Sequence, residues 1–169
     1  DCVGEEVVST LAGFGERFEI WLELGLQTAN DKTLNLLGRG HTAEDFAGAV
    51  RRAHRHGIKV CAHVILGLPG EGGEDEARTA ASLTRREGEG LKLHQRAVVR
   101  GTPLGQLWRE GGVKPLSEEE YAERAVSFVK RLPEGTVLHR LVGDTLGEHL
   151  IAPKFDKSRV LSRIREGIK

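Results

Sequence analysis

Residues 19–41 read EIWLELGLQTANDKTLNLLGRGH. The first half alternates: Ile20, Leu22, Leu24 and Leu26 fall on one side of a strand, and Glu19, Trp21, Glu23, Gly25 and Gln27 on the other. A strand buried on both faces reads as a continuous apolar run. A polar row ending in a carboxylate and an amide therefore implies either water or a polar ligand over that face. After Gln27 the chain turns at Thr28-Ala29-Asn30-Asp31, where Asn30 or Asp31 can cap a short helix over 32–37. Gly38-Arg39-Gly40-His41 then returns an arginine close to the strand's end. The planar fork of such an arginine suits a carboxylate or phosphate, because it donates two parallel hydrogen bonds.

Upstream, residues 4–13 predict a helix with Val7, Val8 and Leu11 on one face, feeding a strand over 18–26. Downstream, Thr42 caps a helix carrying Phe46, Val50 and Ala53 at helical spacing, which stops before Gly57. The run IKVCAHVIL at 58–66 predicts the next strand and ends in the turn Gly67-Leu68-Pro69-Gly70-Glu71. A helix over 74–87, a strand over 91–99 (LKLHQRAVV) and a helical piece over 104–110 follow. Ser117-Glu118-Glu119-Glu120 has a capping-box pattern and opens a helix to 131. A last strand over 136–142 precedes a tail helix from Asp156, with Val160, Leu161 and Ile164 inward. Repeated strand-helix units without hairpin signals imply an α/β fold with parallel strands and right-handed crossovers. A full eight-fold barrel takes roughly 250 residues, so the 169 present can supply part of a barrel or a small open sheet.

The 25 basic and 25 acidic side chains balance, so no global field draws the chain to nucleic acid or a membrane surface. No apolar run approaches a membrane span, and no secretory leader opens the sequence. It starts at Asp1-Cys2 and contains no methionine, and is expected to be the distal piece of a longer protein. Cys2 and Cys61 are the only cysteines, too few for a disulfide framework or a four-cysteine metal site, and a reducing cytoplasm is the expected compartment.

In parallel α/β architectures ligands bind where the strands' carboxyl ends meet the following loops. Those ends carry Glu23 and Gln27, then His63 with the 67–71 turn, then His94 and Arg96. Singly, each reads as a satisfied polar residue; on three successive strands they point to a ligand. The GLPGE turn suits a phosphate or a base edge through its backbone N–H groups, or makes only a tight turn. His63, His94 and His139, one on each of three predicted strands, raise a second class, a metal-dependent hydrolase with three imidazole ligands. Against it, no His-x-His or His-Glu-x-x-His pair is present, and His54 with His56 cannot share a helix face. A third class is a small non-catalytic α/β binding module. Cys61, mid-strand and without an adjacent base, reads as a small apolar residue.

Four motifs in order, WLELGLQTANDKTLNLLGRGH, GIKVCAHVILGLPGE, LKLHQRAVVRGTPL, and LHRLVGD with LIAP, resemble the C-terminal half of radical SAM enzymes. The nearest pattern is that of the YhcC-type family, related to the Elongator catalytic subunit and more distantly to oxygen-independent coproporphyrinogen oxidase. The resemblance covers nearly the whole chain. It implies a partial (βα)6 TIM-like barrel, with residues 1–112 its distal half (strands four to six) and 113–169 a C-terminal extension. It also implies S-adenosylmethionine as cofactor, a [4Fe-4S] cluster, an external electron donor, and reductive cleavage to a 5′-deoxyadenosyl radical that abstracts hydrogen from a substrate, RNA being one class among relatives.

Gln27 matches the glutamine of the family strand end that contacts the cofactor's ribose region, and Arg39 stands where relatives place the arginine gripping the methionine carboxylate. His63 occupies a position where coproporphyrinogen oxidase has a cofactor-contacting aspartate; an imidazole can also hydrogen-bond a hydroxyl. Leu66, Gly67 and Leu68, with the backbone at Val98 and Val99, would flank the adenine, and Glu23 would sit in the lumen beside them. His94, Arg96 and His139 fall to the substrate side. The family's cluster needs three closely spaced cysteine thiolates. Cys2 and Cys61 cannot supply them, so they are expected upstream and this chain alone is expected to be inactive.

Overall fold

The alternating stretch forms strand β1, Trp21–Gln27, in a computed structural model that describes residues 3–84, 89–144 and 147–169. Helix α1 (Glu5–Ala12) precedes it. The short helix α2 (Asp31–Leu36) follows, its first turn held by the Asn30 side chain, which accepts from the Lys32 N–H. Helix α3 (Ala43–Arg55) is opened by a reciprocal capping box between Thr42 and Asp45. Then come β2 (Lys59–Leu66), α4 (Gly73–Thr84), β3 (Gly90–Gln95), β4 (Val98–Val99) and α5 (Pro103–Arg109). The second capping box, Ser117 with Glu120, opens α6 (Glu118–Val129). β5 (Val137–Arg140), a 3-10 turn at Gly147–His149, β6 (Leu150–Ala152) and α7 (Lys157–Ile168) complete the order.

Four strands make one parallel sheet in the order β1-β2-β3-β5, with Glu23 opposite Cys61, Cys61 opposite Gly90, and His63 opposite Lys92. One face of it is the core. Leu26, Val60, Val64, Leu66, Leu91 and Leu93 are buried there against Phe46 and Val50 of α3, Leu83 of α4, Tyr121 and Phe128 of α6, and Val160 and Ile164 of α7. Each such side chain contributes about 1.5–3 kcal/mol by leaving water. The buried Tyr121 hydroxyl donates to the Leu141 carbonyl, 2.7 Å away. With helices on the apolar face only, the polar rows of β1, β2 and β3 line the opposite, concave side of a partial TIM-like barrel.

Three expectations need correction. The strand expected over 91–99 breaks at Arg96-Ala97: β3 ends at Gln95, and Val98–Val99 leaves the parallel sheet to pair antiparallel with β6. The apolar-polar alternation of the sequence runs straight through that break, while the partner strand, three residues long, is too short to read from pattern. Val7 is 46% exposed, so α1 docks through Val8, Leu11 and Ala12 instead. The last strand is confined to 137–140. The helix expected to end at Glu87 is seen as far as Thr84; residues 85–88, like Asp1 and Cys2, lie outside the described residues. Among the described residues no helix is long and apolar enough to cross a membrane.

Candidate functional site

At the carboxyl ends of β1, β2 and β3 the concave face opens into a cleft of about 460 Å³, walled by Gln27, Arg39, His63, Ile65, Leu68, His94, Gln95, Arg96, Ala97 and Leu104, with Leu37 at its edge. Gln27, Arg39, His63, Leu68, His94 and Arg96 are thus brought together as the sequence implied. Glu23 lies one layer down. Leu66 is buried on the core side, and the Gly67 N–H donates to Glu76. Val98 and Val99 are not among the walls. His139 is at the other end of the sheet, edge-on to Trp21 with ring centroids 4.7 Å apart. It reaches there because Gly90 between them has no side chain: a Cβ would meet Trp21 at 2.8 Å and His139 at 2.9 Å.

Gln27 is the only non-glycine residue among those described with positive φ, +66°, at the point where the β1–β2 register slips. A left-handed glutamine is strained backbone, held here by its surroundings. The next residue supplies them. The buried Thr28 hydroxyl donates to Glu71 (2.8 Å) and lies 3.3 Å from the Thr79 hydroxyl, which accepts from the Ala29 N–H. Burial raises the Glu71 carboxyl above its ordinary range. The GLPGE turn is therefore tied to the end of β1 through its glutamate. Behind it, Glu76 accepts from the Gly67 N–H and from Arg124, both at 3.0 Å. The Thr28–Glu71 and Glu76–Arg124 contacts leave no local signal in the sequence, because their partners stand 43 and 48 residues apart.

Gly25 explains how the two anchoring side chains fit. A Cβ there would lie 2.4 Å from the Gln27 amide nitrogen and 3.0 Å from an Arg39 guanidinium nitrogen. The glycine leaves a cradle into which both side chains fold. Arg39 is exposed, and among the described residues its guanidinium has no hydrogen-bond or ion-pair partner.

Below the cleft, Glu23 accepts from His63 Nε2 at 3.0 Å and from Lys92. The Lys92 hydrogen bond, with His63 beside it, holds the Glu23 carboxyl below the usual range. The Glu23 contact holds a proton on His63 Nε2 and orients the ring. His63 stacks on His94, centroids 5.4 Å apart and rings 27° from parallel. Burial, and then the neighbouring His63, push His94 down to about 4, so it is a neutral imidazole at pH 7. Among the described residues its Nε2 is buried without a partner, as are Nε and Nη1 of Arg96.

Among the described residues no three His, Cys, Asp or Glu side chains are disposed to hold a metal ion. The three-imidazole arrangement does not form, since His139 lies at the opposite end from His63 and His94. Cys61 is fully buried between Glu23 and Gly90, and burial raises its thiol to about 11. That is the reverse of the thiolate an iron-sulfur cluster requires, so the described residues do not fit a cluster. They do fit a ligand bearing a carboxylate, hydroxyls and a flat apolar ring, through Arg39, through Gln27 and His63, and through Ile65, Leu68 and Leu104. Of these, Ile65, Leu104, Gln95 and Ala97 were not singled out in the sequence; Ile65 shares the parity of His63, and that parity could have found it.

Residues 2–83 match the model of the Radical SAM superfamily, and residues 89–169 that of the Radical_SAM C-terminal domain. Protein YhcC of Escherichia coli K12 is 34% identical over 94% of this chain and 52% of its own length. A tRNA uridine(34) acetyltransferase of Dehalococcoides mccartyi is 35% identical over the whole chain and 36% of its own length. Among solved structures, the N-terminally deleted Elp3 of Methanocaldococcus infernus superposes with a TM-score of 0.84 at 24% identity, covering all of this chain and 41% of that one. The chain spans about half the length of the YhcC-type relatives it matches.

Proposed function

We propose, from the premise that this chain belongs to the radical SAM superfamily, that its cleft binds S-adenosylmethionine for a radical enzyme of which it forms the distal half. The observation that carries the reading is Arg39: a guanidinium without a partner among the described residues, folded over Gly25 beside the left-handed Gln27. In this reading Arg39 takes the methionine carboxylate in a two-pronged hydrogen bond. Gln27 and His63 take ribose hydroxyls, while Glu23 orients the His63 ring from beneath. Leu68 and the chain at Ala97 flank the adenine. Residues 1–112 then form the distal barrel half, and 113–169 the extension that adds β5 to its sheet.

When bound at a reduced [4Fe-4S] cluster, S-adenosylmethionine supplies a carbon-centred radical that takes hydrogen from a substrate. This chain's residues bind and orient the cofactor and shield it from water; the cluster's ligands are assigned to a region upstream of them. The test is equilibrium dialysis of the purified chain with labelled S-adenosylmethionine, followed by iron-sulfide reconstitution and dithionite. Saturable binding, weakened at least about tenfold (1.4 kcal/mol) by Arg39→Gln, with no 5′-deoxyadenosine formed, is the expected result. Absence of binding overturns the cofactor reading, and formation of 5′-deoxyadenosine overturns the upstream placement of the cluster.

A further inference from the structure

Four buried side-chain nitrogens lack a hydrogen-bond partner among the described residues, and three of them, His94 Nε2 and Arg96 Nε and Nη1, belong to walls of the one cleft. Such groups are uncommon in folded proteins, and each marks strain, function or an absent ligand. Arg96 is the most telling. It is 8% exposed, and its guanidinium makes a single hydrogen bond, Nη2 to the Lys114 carbonyl at 2.8 Å. No carboxylate stands among the cleft's walls. Burial alone lowers the Arg96 pKa, with no neighbouring charge contributing. An uncompensated buried cation is strongly destabilising unless something anionic comes to meet it.

The cofactor does not answer this need. S-Adenosylmethionine carries one carboxylate, which the reading above gives to Arg39, and its other charges are positive. We infer that Arg96 is the anion-recognition residue for the substrate: the second ligand of the cleft presents a phosphate or carboxylate oxyanion to Arg96 Nε and Nη1, with His94 Nε2 alongside. This rests on the cofactor reading only in calling that ligand the substrate. The substrate class is thereby narrowed to molecules with an oxyanion beside the site of hydrogen abstraction, and a neutral hydrocarbon or amine substrate is excluded. As a neutral imidazole, His94 adds a hydrogen bond without a second positive charge.

The test follows the Arg96 Nε–H cross-peak of the ¹⁵N-labelled chain during titration with inorganic phosphate and, separately, sodium acetate, each with and without saturating S-adenosylmethionine. The expected result is a saturable shift with one of the two that persists when the cofactor is present; which anion binds tighter distinguishes phosphate from carboxylate substrates. Arg96→Lys, which keeps the charge but loses the fork, weakens that anion at least tenfold by the shifts of Ala97. Arg96→Met is no less heat-stable than wild type in anion-free buffer, and loses the rise in Tm that the anion gives wild type. Absence of a saturable shift, or displacement of the anion by S-adenosylmethionine, overturns the inference. So does a large loss of stability in Arg96→Met, since that makes the guanidinium a structural peg for Lys114. Oxyanion binding without S-adenosylmethionine binding keeps the anion site and sinks the cofactor reading alone.

Discussion

The two ends of the concave sheet face use similar residues to opposite effect. At the amino end Lys59 pairs with Glu19 at 2.6 Å and lies over the Trp21 ring, the Trp21 indole donates to the same Glu19, and His139 packs on the ring's edge. Lys59, Glu19 and the Trp21 indole thus answer one another within the chain. At the carboxyl end, among the described residues, the Arg39 guanidinium has no partner, Arg96 uses one N–H group, and His94 Nε2 faces no acceptor or donor. Between them, Glu23 with His63 and Lys92 forms the boundary. The lesson is that charge alone does not mark a site. A floor that satisfies itself is structure, and a rim that leaves cations unanswered is built for a ligand.

The comparison breaks most sharply at Gly25. Gly25→Ala puts a methyl where the Gln27 amide and the Arg39 guanidinium lie. Both displaced groups are flexible ends, so the fold should survive with Tm within a few degrees. S-Adenosylmethionine affinity should fall about 30–100-fold, or 2–3 kcal/mol by dialysis; unchanged affinity means the cradle is incidental.

His94 is a smaller lever, read through pH. Its folded-state pKa of about 4 lies below the unfolded value near 6.5, so the neutral imidazole contributes stability that is full above about pH 6.5 and disappears as the pH falls through 4. Allowing for partial exposure, chemical denaturation should show about 2 kcal/mol lost over that window in wild type and less than half of it in His94→Leu. Parallel curves for the two proteins would mean that His94 is not the group being titrated.

The floor should give the smallest response. Lys59→Gln removes an exposed, solvent-screened ion pair, and should leave both Tm and S-adenosylmethionine affinity, the latter within twofold, essentially unchanged. A tenfold change there would erase the contrast between the two ends.

Much of this was legible in the chain itself. The 19–41 stretch announced both the polar row and the returning arginine, since strand parity and a Gly-Arg-Gly turn are local properties. The parallel order followed from strand-helix repetition. What stayed hidden was non-local. The break at Arg96-Ala97 depends on a three-residue strand at 150–152, and the strained Gln27 depends on tethers through Glu71 and Thr79. Nor could strand pattern tell that His139 faces Trp21 rather than the cleft, because its placement depends on the register slip between β3 and β5. That Arg96 Nε and Nη1 lack partners among the described residues is a property of burial, which composition does not carry.

The most direct test of the contrast is a ¹⁵N–¹H correlation map of the purified chain titrated with S-adenosylmethionine. Saturable shifts clustered at Gln27, Arg39, Leu68 and Ala97, with the Trp21 indole N–H and the Lys59 amide unmoved, are the expected result. Shifts centred on Trp21, Lys59 and His139, or no saturable shift anywhere, contradict the claim that the unanswered cations of the carboxyl end mark the binding site.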